Sequence, residues 1–92
     1  MSITVRYLGA LAAEAGCSTE ALVLPEGSRL SDALQRVCQG RGQGFTRLVV
    51  DARGLPQPFL LVSLDGAGVP YGQDPPVGAR AQLDLAIAVS GG

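Results

Sequence analysis

The residues best suited to chemistry close the sequence: Val89-Ser90-Gly91-Gly92 directly follows an alternating apolar run. Read as a carboxyl terminus, Gly91-Gly92 is an unhindered carboxylate on a flexible stalk. Glycine lacks a Cβ and reaches backbone conformations closed to other residues. Such a tail can thread a narrow channel and present its carboxylate to another protein's active site. A frayed end would also leave small residues here, since termini are commonly disordered. The elements ahead of the tail therefore have to distinguish the two.

Other chemistry is scarce. The chain has no histidine, which removes Ser-His and Cys-His nucleophile pairs, histidine-based metal sites and a histidine general base. No metal site is expected. All of its basic residues are arginine, so no lysine can accept a modification on this chain. Cys17 and Cys38 are not spaced as a CxxC pair and read as small buried hydrophobes with reduced thiols. The Gly40-x-Gly42-x-Gly44 spacing lacks the preceding strand that a dinucleotide site needs. A net charge of -1 exerts no global pull on nucleic acid or anionic lipid. The opening Ser2 to Leu8 alternates like a strand rather than forming a continuous apolar leader, and no stretch has membrane-spanning length. The expectation is a cytoplasmic protein.

Ninety-two residues suit one domain, and 47% apolar content is enough for a single core without staples. Ile3, Val5 and Tyr7 alternate with Thr4 and Arg6 as a strand with one buried face. Gly9 to Ala15 can form one or two helical turns ended by Gly16, and Thr19 to Leu24 reads as a second strand, antiparallel to the first. Ser28 or Ser31 can cap a helix that runs to about Gln39, with Leu30, Ala33, Leu34, Val37 and Cys38 on one face and Gly40 as its stop. Arg41 to Gly44 reads as glycine-rich loop, and Phe45 to Val50 as a helical turn or a short strand. Phe59 to Leu64 is a third strand, turned by Asp65-Gly66, with a short edge strand around Val69 to Tyr71. Leu83, Leu85, Ile87 and Val89 alternate in a last strand. The first and last strands are expected to be central neighbours. The order predicts an α+β fold with the helix packed on one sheet face.

This arrangement resembles the ubiquitin-like β-grasp, a mixed sheet of about four to five strands with one main helix on one face. Within it the chain is similar to the MoaD/ThiS group of sulfur carriers, in particular its longer members. The resemblance covers nearly the whole length and rests on four stretches: Tyr7 to Gly16; Leu22 to Gly27 with Leu30 to Leu34; Arg47 to Gly54 with Pro58 to Gly66; and Pro76-Val77 with the terminal Val89-Ser90-Gly91-Gly92. The last is the most specific. Residues 1–89 would form the domain and 90–92 the tail. The chain departs from the group's pattern at Gly78 to Ala81, where an acidic turn is common, at Ala86 to Ala88, and at Leu61 and Ser63. These departures bear on which partner is used.

The resemblance implies a carrier rather than an enzyme, with no bound cofactor. An E1-like adenylating partner would activate the Gly92 carboxylate with ATP, and a sulfur donor would displace AMP to leave a thiocarboxylate. A sulfur-accepting synthase would consume it, in molybdopterin, cysteine or other sulfur-metabolite biosynthesis. The same resemblance admits a small subunit of molybdopterin synthase or a ubiquitin-like protein modifier. Val89, Ser90 and Gly91 would occupy the partner's channel. If Leu60, Val62 and Leu64 face the helix, then Phe59 and Leu61 face outward. With Ala86 and Ala88 of the last strand they would make an apolar docking patch. Phe59 has the alternative of packing on the Pro56 to Pro58 stretch. Arg6, Arg47 and Arg53 read as solvated charge, or as steering toward an acidic partner.

Overall fold

A computed structural model of the chain describes residues 1–88. Val89, Ser90, Gly91 and Gly92, and with them the expected domain–tail boundary, lie outside the described residues.

The elements follow in the order β1 (Ser2–Tyr7), α1 (Ala10–Ala15), β2 (Thr19–Val23), α2 (Leu30–Cys38), α3 (Gly42–Val49), β3 (Leu60–Leu64), β4 (Ala67–Gly68) and β5 (Gln82–Ile87). The five strands form one mixed sheet in the order β2-β1-β5-β3-β4. β1 and β5 pair in parallel, Thr4 opposite Gln82 through Tyr7 opposite Leu85, and the other neighbours are antiparallel. The first and last strands are thus central neighbours, as their period-2 patterns predict. The fold is α+β.

Ile3, Val5 and Tyr7 of β1, Leu60 and Val62 of β3, and Leu83 and Leu85 of β5 are buried in one core with Leu30, Ala33, Leu34 and Val37 of α2. That helical set recurs at i, i+3, i+4 and i+7, the spacing of one apolar stripe. The sheet's other face carries Thr4, Arg6, Asp84, Ser63 and Leu61, none of them buried.

Four expectations need correction. The first is the glycine-rich stretch: α3 begins at Gly42 and takes in Gly44. Gly44, inside the helix, weakens it by about 1 kcal/mol. Burial of Phe45 and Val49, one turn apart, overrides that preference.

The second is the cap of α2. Its N-cap residue is Arg29, whose N–H donates to Asp32 Oδ2 at 2.8 Å. Ser28 instead donates its hydroxyl to the Pro25 carbonyl at 2.7 Å. Ser31 does not cap; its N–H and Oγ both donate to the Asp74 carboxylate at 2.8 Å. Of the free N–H groups of the first turn, that of Ser31 is met by a carboxylate 43 positions away and that of Leu30 by the Pro75 carbonyl at 2.9 Å.

The third is the edge strand, which forms at Ala67–Gly68 rather than around Val69 to Tyr71. Asp65 and Gly66 both take positive φ, 51° and 84°, the geometry of a tight hairpin turn. The chain therefore pairs again at once, with Leu64 opposite Ala67, and the Val69 N–H still donates to the Val62 carbonyl at 2.8 Å.

The fourth is the burial of the two cysteines, which are free and half-buried rather than fully buried. Among the described residues no helix is long and apolar enough to cross a membrane.

Candidate functional site

β5 lies between β1 and β3, so its last residues emerge at the centre of one end of the sheet. The Ala88 N–H donates to the Phe59 carbonyl at 2.9 Å, which carries the β3–β5 ladder to the last described residue. Leu61 stands opposite Ala86. On the other side of β5, the Leu8 N–H donates to the Leu85 carbonyl at 2.9 Å. That bond extends the parallel register one residue and sets Leu8 beside Ala86. Two adjacent rows result, Leu8–Ala86–Leu61 and Ala88–Phe59, on the sheet face turned away from the helices.

All the expected patch residues come together here. Leu61 is 57% exposed and Phe59 40%; Ala88 is exposed and Ala86 half-buried. Leu8, 39% exposed, completes the patch. Leu8 continues the alternation of Thr4 and Arg6, which places it on the outward face. Tyr71, 59% exposed, joins Leu61, Pro58, Val69 and Pro70 along a shallow groove at the same margin. The expected tail positions, Val89 through Gly92, lie outside the described residues and follow directly in sequence.

Toward the start of β5 the same face turns polar. Arg6 grips Asp84 with both arms, Nε to Oδ1 and Nη2 to Oδ2, each at 3.1 Å, and Gln82 Nε2 donates to Oδ1 at 2.8 Å. The Gln82 hydrogen bond, and then Arg6, hold the Asp84 carboxyl below its usual range against the opposing effect of burial. Arg6 is therefore paired within the sheet. Arg53 pairs with Asp51 at 3.0 Å, and Arg47 Nη2 donates to Gln43 Oε1 at 3.4 Å.

A second polar cluster sits on the helix side of the sheet, around the buried Tyr7. Arg41 donates to Glu20 Oε1 at 2.9 Å and Oε2 at 3.1 Å, to the Val37 carbonyl at 2.7 Å and to the Ala15 carbonyl at 3.2 Å. Its guanidinium lies 5.3 Å from the ring centroids of both Tyr7 and Phe45. The Tyr7 hydroxyl donates to Glu20. Burial, reinforced by that bond to an anion, pushes the Tyr7 phenol far above its ordinary value. Burial would also raise the Glu20 carboxyl, but the Arg41 and Tyr7 hydrogen bonds outweigh it and hold it low. A tyrosine so fixed stays protonated near neutrality. The cluster ties the end of α1, the start of β2 and the end of α2 together.

Cys17 Sγ accepts from Arg41 Nη2 at 3.7 Å, and burial raises the Cys38 thiol above its usual value. Among the described residues no group of three or more Asp, Glu or Cys side chains could hold a metal ion. What the described residues do present is a folded body with an apolar surface at the mouth of its central strand.

Solved structures share this architecture. SAMP1 from Haloferax volcanii superposes with a TM-score of 0.80 at 23% identity, covering 100% of both chains. The small archaeal modifier protein 1 structure from the same organism gives 0.77 at 20% identity, over 96% of this chain and 98% of that one. A Pyrococcus furiosus protein assigned by name as molybdopterin converting factor, subunit 1, gives 0.71 at 18% identity, over 97% and 99%. No family model matches the chain, and no curated protein matches it. The fold is the ubiquitin-like β-grasp. At these identities the likeness defines the fold alone.

Proposed function

We propose that this protein is a sulfur carrier that acts through its Gly92 carboxylate and has no active site of its own. A partner enzyme docks on the patch of Leu8, Phe59, Leu61, Ala86 and Ala88. It transfers the adenylyl group of ATP to the carboxylate, releasing pyrophosphate. A sulfur nucleophile adds to the mixed anhydride and expels AMP, leaving a C-terminal thiocarboxylate. The thiocarboxylate sulfur then attacks an activated acceptor of a biosynthetic pathway, and hydrolysis restores the carboxylate. Gly91 and Gly92, with Ser90 and Val89, supply a narrow stem for the partner's channel.

The observation that carries this reading is the position of the patch. The apolar rows meet at the end of the central strand, where Ala88 is still hydrogen-bonded to Phe59. A protein seated on that surface lies beside the point from which the chain continues to Gly92. Exposed apolar clusters of this kind mark interaction surfaces.

A second reading follows from the likeness to the small archaeal modifier protein. The adenylate would form in the same way, and a lysine amine of a target protein would take the place of sulfur. The small subunit of a molybdopterin synthase is a third use of the thiocarboxylate, in line with the name of the Pyrococcus neighbour.

Intact-mass measurement after incubation with ATP, a cognate activating enzyme and sulfide tests the proposal. A sulfur-for-oxygen mass increase on the C-terminal peptide, dependent on ATP and abolished in Gly92→Ala, is the expected result. An active enzyme that leaves this chain unchanged would overturn it. Conjugates to lysines of added proteins, without thiocarboxylate, would establish the modifier reading.

A further inference from the structure

We propose that the β2 edge is a self-association surface through which two copies of this chain pair, joining their sheets across a two-fold axis at Ala21. The inference starts from the direction of backbone groups. Tyr7 N–H donates to the Ser18 carbonyl and Leu24 N–H to the Met1 carbonyl, so Ser18, Glu20, Leu22 and Leu24 point their backbone groups at β1. By alternation Thr19, Ala21 and Val23 point theirs away from it. Among the described residues no hydrogen bond reaches those outward groups. Their side chains are exposed as well, Val23 at 74%.

The two edges of the sheet are handled differently. β4 is two residues long and is followed by Pro70, a short strand with a proline close behind. Those are devices that keep an edge from pairing. β2 is longer: Thr19-Glu20-Ala21-Leu22-Val23 contains no lysine, proline or glycine within it, pairs with β1 without a bulge, and meets Pro25 only beyond its last outward-pointing residue, Val23.

The register singles out a second copy as the occupant. Centred on Ala21, antiparallel self-pairing sets Thr19 opposite the second copy's Val23, Ala21 opposite Ala21, and Val23 opposite Thr19. These are the residues with outward backbone groups, so each pair exchanges two N–H···O bonds. No like charges meet. Glu20, the strand's one charged residue, falls opposite Leu22 and stays held by Arg41 and Tyr7 on the helix side. On the open face the seam is Thr, Ala and Val, which suit a strand interface. A five-residue seam is smaller than a standard stable interface of about 800 Å² per partner, so the dimer is weak and concentration-dependent. It leaves Phe59 and Leu61, on the far side of β5, uncovered in both copies.

Sedimentation equilibrium of the full chain up to millimolar concentration tests this. The average mass should climb from the monomer value toward twice that value. Val23→Lys changes a side chain already in solvent. Ala21→Pro removes an N–H that β1 does not use. Each should give a monomer with unchanged far-UV circular dichroism, whereas Leu61→Asp should still dimerise. A monomer at every concentration overturns the proposal, and so does association that survives both β2 variants. Amide-exchange protection of Ala21 and Val23 on adding an extended peptide, in a chain that stays monomeric alone, would assign the edge to a peptide and overturn self-pairing.

Discussion

Leu61 offers the sharpest test of the docking surface, because its contributions to folding and to docking separate. It is 57% exposed, so folding already shelters less than half of it. Full burial of a leucine is worth about 1.5–3 kcal/mol. Leu61→Ala therefore costs the fold about 1 kcal/mol, a melting shift of about 4–8 °C for a domain of this size. The exposed remainder is what a partner would bury. Its loss weakens docking by about 1–1.5 kcal/mol, roughly tenfold. Leu61→Asp adds an unpaired carboxylate in an apolar interface, a further penalty of about 1–3 kcal/mol, and should weaken docking by about a hundredfold or more. The assay is ATP-dependent pyrophosphate release by the activating enzyme, titrated with each variant, beside a thermal melt. A folded Leu61→Asp variant that keeps wild-type kcat/KM would refute the placement of the partner on this face.

Arg41→Met should lower the melting temperature by roughly 10 °C. It leaves the partly sheltered Glu20 carboxylate and the Val37 and Ala15 carbonyls without their donor, a loss of about 2 kcal/mol. The pH dependence follows from Glu20. Its folded pKa lies below the unfolded value, so its contribution is present above the ordinary glutamate range and is lost as pH falls through the lower folded value. Glu20→Gln should flatten that acid limb in melts recorded against pH. Asp74→Ala removes the carboxylate that receives both Ser31 donors. It should cost about 0.5–2 kcal/mol by the measure of a lost helix cap, read as a fall in denaturant midpoint with unchanged m.

Strands and the main helix were legible because each announces itself locally. Ile3, Val5 and Tyr7 alternate, Leu30 to Val37 repeat at helical spacing, and Asp65-Gly66 marks a hairpin. Phe59 and Leu61 could be assigned to the outward face from the same period. α3 was not legible, since its stability comes from Phe45 and Val49 against a distant core and not from its glycine-rich start. The role of Asp74 at the start of α2 was hidden for a related reason: a serine near a helix start resembles a cap, and no local pattern names a partner 43 residues away.

The sequence by itself determined the class of fold, the faces of its strands and the Gly91-Gly92 pair on which the proposed chemistry rests. Only the tertiary structure decided that Leu8 and Leu61 flank Ala86 in one row, that Tyr7, Glu20 and Arg41 interlock, and that β2 stands at an edge of the sheet. Period and propensity act over a few residues, whereas strand order and register arise when the core closes. Closure alone turns side chains far apart in the chain into one surface.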